Sequence, residues 1–166
     1  MTSPAASSFI LASASPRRKQ LLEKAGFSFE VIPSKIDESK FSPEAVTPVE
    51  FALQLAFAKA IDIAIMYPDR FVLGADTVVD LKGRIIGKPK DAKEAEDITR
   101  MLFSQPHKVI TAVALIKAAE KFEIAKADTT IVYPKKLITQ QIAEHIKSGN
   151  WQGKRSEEHT SELQSR

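Results

Sequence analysis

Two helix starts of one design, Ser15-Pro16 and Thr47-Pro48, limit how this chain can fold. Each joins a hydroxyl that can cap free backbone amides to a proline whose missing N–H costs nothing at the first helical position. Thr47-Pro48-Val49-Glu50 also makes a capping box, because Glu50 can reach back to the Thr47 amide. The apolar run Phe9 to Ala12 before the first start reads as a short strand, and the helix behind it runs to about Ala25 with Gly26 as its stop. Phe29 to Ile32 reads as a second strand, Pro33 to Val46 as a polar loop, and the stretch from Thr47 to about Met66 as a largely buried helix. Further on, the spacing predicts a strand over Phe71 to Asp80, turned by Lys82-Gly83 into Arg84-Ile85-Ile86. Asp91 caps an amphipathic helix to Phe103, two long strands cover Val109 to Ala118 and Phe122 to Tyr133, and a last helix spans Thr139 to Lys147 before Gly149. Strands alternating with capped helices place the chain in the α/β class.

At 166 residues and 43% hydrophobic, the chain has apolar material for one core, so a single domain, two-lobed at most, is expected over residues 1–154. Residues 155–166 lack apolar periodicity and read as a non-native tail. No stretch approaches the roughly 20 apolar residues of a membrane span, and the start has no secretory pattern, so a soluble, cytoplasmic protein is expected. The absence of cysteine excludes disulfides, thiolate metal sites and a cysteine nucleophile. A net charge of +3 is far below that of a dedicated nucleic-acid binder.

Three places conflict with simple packing. In Ser13-Ala14-Ser15-Pro16-Arg17-Arg18-Lys19, three cations occupy a first helical turn that already carries the positive end of the helix dipole. A bound phosphate resolves that conflict, with free amides, the Ser13 and Ser15 hydroxyls and guanidinium forks as donors; a solvated basic turn is the plain alternative. Asp76 interrupts the apolar Leu73-Gly74-Ala75-Asp76-Thr77-Val78-Val79, and a carboxylate there needs a partner, a metal or an edge facing water. Gly74 beside it allows a ligand or another backbone to come close. Lys59 falls on the helical face of Ala52, Leu55, Ile63 and Met66, where it either leans inward or snorkels out. Asp37 and Glu38 offer hard oxygen ligands, and Lys88 follows a strand end. His107 reads as a strand-start residue and His145 as a helix-surface one, without metal-ligand spacing. Neither the P-loop nor the dinucleotide glycine motif is present.

Taken in order, Leu11-Ala12-Ser13-Ala14-Ser15-Pro16-Arg17-Arg18, Ile36-Asp37-Glu38-Ser39, Ala58-Lys59-Ala60, Leu73-Gly74-Ala75-Asp76-Thr77-Val78-Val79 and Gly87-Lys88-Pro89 resemble the signature of the Maf family of nucleotide pyrophosphatases. The resemblance extends from about Phe9 to Lys154 and includes His107-Lys108-Val109-Ile110-Thr111-Ala112-Val113. It implies an elongated mixed sheet flanked by helices, with a deep central cleft, similar in shape to inosine triphosphate pyrophosphatases. It implies that Asp76 is the catalytic base, that Ser13, Arg18, Lys59 and Lys88 hold phosphates, and that Glu38 helps Asp76 hold Mg²⁺ or Mn²⁺. Arg17 and Thr77 resemble the branch that hydrolyses dTTP and UTP rather than the 7-methyl-GTP branch. The implied partner is a nucleoside triphosphate, not a membrane or a nucleic acid, and a homodimer is left open. Two rival readings are a non-catalytic regulator of septum formation and a nucleic-acid binder using Arg17-Arg18-Lys19, whose nearby aromatics Phe9, Phe27 and Phe29 are assigned by pattern to the core. Past Lys154 the family continues with an Ala-Gly-x-Tyr-Gly-Ile-Gln-like stretch that residues 155–166 do not match.

Overall fold

In the computed structural model, which describes residues 8–149 and Trp151, both predicted caps form. Ser15 accepts a long bond of 3.5 Å from the Arg18 amide and opens helix α1, Pro16–Lys24. Thr47 and Glu50 exchange hydrogen bonds of 3.2 and 2.8 Å at the head of helix α2, Pro48–Ala64. Gly26 follows α1 at φ 79°, the left-handed conformation that stops a helix.

Six strands lie in one mixed sheet: β1 Phe9–Leu11, β2 Phe29–Val31, β3 Val72–Leu81, β4 Arg84–Ile86, β5 His107–Lys117 and β6 Phe122–Val132. Their order is β2-β1-β3-β5-β6, with β4 paired to β3. β1 runs parallel to both β2 and β3, while β4 is antiparallel to β3. Only the residues between Lys117 and Phe122 join β5 to β6, a link that permits only an antiparallel pair. Helices α3, Ala92–Ser104, and α4, Thr139–Lys147, complete the α/β pattern expected from the sequence. One turn of 3₁₀ helix, Glu38–Lys40, stands within the predicted loop, its start fixed by Asp37 accepting from the amide of Ser39 at 3.1 Å.

The chain divides into two compact units. The first runs through Asp76 and takes in Ala112–Ala127, and its core sets Ile10, Leu11 and Val72 with Ala52, Leu55, Ala56, Ala60 and Ile63 of α2. Sealing side chains such as Leu55 and Ile63 contributes about 2 kcal/mol each. The second unit holds Thr77–Thr111 and the chain from Asp128, with a core of Val79, Leu81, Ile86, Leu102 and Phe103. Among the described residues, no helix is long and apolar enough to cross a membrane. Residues 155–166 lie outside the described residues.

Candidate active site

The first unit gathers six of the residues singled out in the sequence. β1 ends at Leu11, and its register with β3 pairs Leu11 with Leu73, while the Ala12 amide donates to the Leu73 carbonyl at 2.8 Å. Extended by two residues, that register sets Ser13 level with Ala75, next to Asp76. The chain leaves β1 through α1 toward β2 on one side, while β3 lies on the other. Such a reversal of strand order, at the carboxyl ends of parallel strands, is where open α/β sheets bind ligands.

Ser13 is buried, and its Oγ accepts from Arg18 Nη1 at 3.0 Å and from the Ser15 amide at 3.3 Å. The guanidinium is thereby held back over the start of α1 instead of extending along it. Arg17 is exposed in the same first turn. Lys19 pairs with Glu23 at 3.8 Å on the helix surface, so the solvated reading suits this one of the three cations.

Asp76 is fully buried in an interior strand, which removes the edge-strand reading. Its Oδ1 accepts from Lys59 Nζ at 2.7 Å, and the same ammonium lies 2.8 Å from Glu38 Oε1. Lys59 therefore points inward, with 12% of its side chain exposed, instead of snorkelling. Gly74 makes this possible: a Cβ there would lie 2.6 Å from the Ala60 amide and closer still to the Ala56 carbonyl. It is a backbone, that of α2, which comes close at Gly74, and this approach delivers Lys59 to Asp76.

Asp76 and Glu38 thus share one ammonium, that of Lys59. Among the described residues, no group of three or more acidic or histidine side chains is placed to hold a metal. Asp76 and Glu38 match in kind the one or two carboxylates with which Mg²⁺ is usually held, its remaining ligands being phosphate oxygens and water.

Thr77 and Lys88 belong to the second unit. Thr77 is buried, and its hydroxyl lies 3.2 Å from that of Thr111 on β5. Lys88 is exposed, two residues beyond β4. Also in that unit, Asp80 is buried on β3 and accepts from the Gly83 amide at 2.6 Å, which ties it to the hairpin turn.

Two readings need correction. His145 is buried, not on the helix surface, because α4 turns it to the same side as the buried Ile142. Phe27, assigned to the core by pattern, is 57% exposed. It meets Phe9 edge-on at 6.0 Å, and Phe9 stacks on Phe29 at 5.6 Å. Phe27 and Phe29 follow α1 in sequence and Phe9 precedes it on β1, so the three rings pack on one another. Sequence reasoning gave no role to Asp62 and Ser34, which bond to each other, or to Thr111, which faces the candidate Thr77. Asp62 carried a signal, as a second charge three residues beyond Lys59 on an apolar helix.

Comparison with known proteins places the chain in a family. The family model described as Maf-like protein matches residues 8–156. A dTTP/UTP pyrophosphatase of Citrifermentans bemidjiense is 43% identical over 143 residues, covering 86% of this chain and 73% of that protein. One of Alkaliphilus oremlandii is 44% identical over 140 residues, covering 84% and 71%. Among solved structures, a HAM1 protein of Coxiella burnetii matches at 14% identity with a TM-score of 0.46, covering 75% of this chain and 71% of that one. With matching motifs in order, and a family model that covers all of the described residues, this chain belongs to the Maf-like protein family.

Proposed function

We propose that this protein hydrolyses nucleoside triphosphates between the α- and β-phosphates, releasing the monophosphate and pyrophosphate, with dTTP and UTP as the leading substrates. The observation that carries the proposal is the buried Asp76 gripped by Lys59 at 2.7 Å, beside the carboxyl end of β1, where Ser13 and Arg18 face the start of α1. The choice of nucleotide rests on the relatives named dTTP/UTP pyrophosphatase and on Arg17 and Thr77.

The amides at the start of α1, the Ser13 hydroxyl and the Arg18 guanidinium bind phosphate oxygens, the arrangement that best satisfies a helix start crowded with cations. Asp76 accepts the proton of a water aimed at the α-phosphorus; the new P–O bond forms as the bond to the bridging oxygen breaks, and pyrophosphate departs with that electron pair. Lys59, already a shared cation for two carboxylates, donates to the polyphosphate as charge spreads over it. Lys88 is assigned to the same charge on the family resemblance of Gly87-Lys88-Pro89 alone. Bound at Asp76 and Glu38, Mg²⁺ or Mn²⁺ would supply Lewis acidity and neutralise phosphate charge. Little covalent chemistry is asked of the protein, so most of the rate comes from positioning and electrostatics. A nucleoside triphosphate substrate also implies a cytoplasmic location.

The test is pyrophosphate release from a panel of standard and modified triphosphates, with dTTP and UTP expected to lead. Release from none of them would remove the proposal.

A further inference from the structure

The loop that carries Glu38 is fastened to α2 at a second point. Asp62 Oδ2 accepts from the Ser34 hydroxyl at 2.7 Å and from the Lys35 amide at 3.1 Å. Ser34 Oγ in turn accepts from the Ile36 amide at 3.3 Å, and Asp37 accepts from the amide and hydroxyl of Ser39 at 3.1 and 2.6 Å. Asp62 and Lys59 are three residues apart on α2, so they share one face of neighbouring turns. One side chain holds the root of the loop and the other meets its Glu38 at 2.8 Å. Between that root and the Lys59 contact, the loop forms a single 3₁₀ turn, Glu38–Lys40.

We propose that Asp62 is a positioning residue that sets Glu38 against Lys59 and Asp76 through Ser34 and Lys35. This extends the proposed pyrophosphatase reading and rests on it for its catalytic consequence, but not for the anchoring itself. Two charge-assisted bonds to one carboxylate oxygen make a stiff pivot. Removing them leaves the carboxylate of Glu38 in place chemically but unplaced in space.

The experiment compares Asp62→Ala, Asp62→Asn and Glu38→Gln, with each Asp62 variant also made in the Glu38→Gln background. Amide hydrogen exchange is followed over residues 34–40 together with steady-state hydrolysis of dTTP. Asp62→Ala is expected to speed exchange at residues 34–40 while the α2 amides stay protected, and to lower kcat/KM about tenfold, the effect of misplacing one polar group. Asp62→Asn, which keeps an acceptor oxygen, is expected to recover most of both. In the Glu38→Gln background, Asp62→Ala is expected to cost less than about twofold, since residues that act through one another are not additive. Losses that multiply in the double variant, or unchanged exchange at residues 34–40 in Asp62→Ala, would overturn the proposal. If the wild-type protein cleaves no triphosphate, the pyrophosphatase reading fails, and the exchange data still decide whether Asp62 anchors the loop.

Discussion

Lys59 reaches the fully buried Asp76 at 2.7 Å because the backbone of α2 rests directly on Gly74, two residues before that aspartate. A helix and a strand that pack without an intervening side chain thus become one rigid support for an ion pair.

Gly74→Ala tests that support. The added methyl collides with the Ala56 carbonyl and the Ala60 amide, both backbone groups that cannot rotate away. Overpacking of this kind is expected to cost about 1–3 kcal/mol, read as a lower denaturation midpoint in urea. Turnover should fall further than stability accounts for, because Lys59 moves with the helix. Unchanged stability and turnover would show that the contact between α2 and β3 is not tight.

Lys59→Met removes a charged partner 2.7 Å from a carboxylate with no exposure to water. Breaking a buried pair on one side is expected to cost about 3 kcal/mol, and loss of the ammonium should lower kcat/KM at least about 100-fold. The double variant Lys59→Met/Asp76→Asn should regain stability but not activity. A stable, active Lys59→Met protein would make the pair ornamental.

His107 and Glu50 make stability depend on pH in one direction. Burial holds the His107 imidazole below its ordinary range, and hydrogen bonds to the Gln105 and Leu102 backbone only partly offset this; among the described residues its Nε2 has no hydrogen-bond partner. The unfolded chain therefore takes up a proton before the folded one does, so stability is lost as pH falls below the ordinary histidine value of about 6.5. Glu50 is held low by its bonds to Thr47, and its capping contribution is lost as pH falls through the carboxylate range. The thermal midpoint should drop between pH 7.5 and pH 5, and less so in His107→Gln. A midpoint that rises on acidification would refute the sign.

Much of this was legible in the sequence because it lay in local chemistry. Ser15-Pro16, Thr47-Pro48-Val49-Glu50 and Asp91 with Glu94 mark helix starts through bonds that span three residues, so their geometry follows from order alone. Asp76 was conspicuous because a carboxylate between apolar neighbours demands a partner. Which partner it has depends on how α2 sits on β3, and that distance is set by what Gly74 lacks, so Lys59 remained ambiguous between inward and snorkelling. Asp62 was hidden for a related reason: its contacts with Ser34 and Lys35 span 28 and 27 residues, and nothing in a helical pattern announces what will cross above it. His145 misled because two isolated turns of an amphipathic helix do not say which side meets a core.

Hydrolysis of dTTP in ¹⁸O-labelled water, by the wild-type protein and by Asp76→Asn, tests the central claim most directly. Attack at the α-phosphorus predicts label in the thymidine monophosphate and none in the pyrophosphate, with turnover lower by at least about 100-fold in Asp76→Asn while the fold is kept. Label in pyrophosphate or inorganic phosphate, or near-normal turnover without the Asp76 carboxylate, would contradict the account.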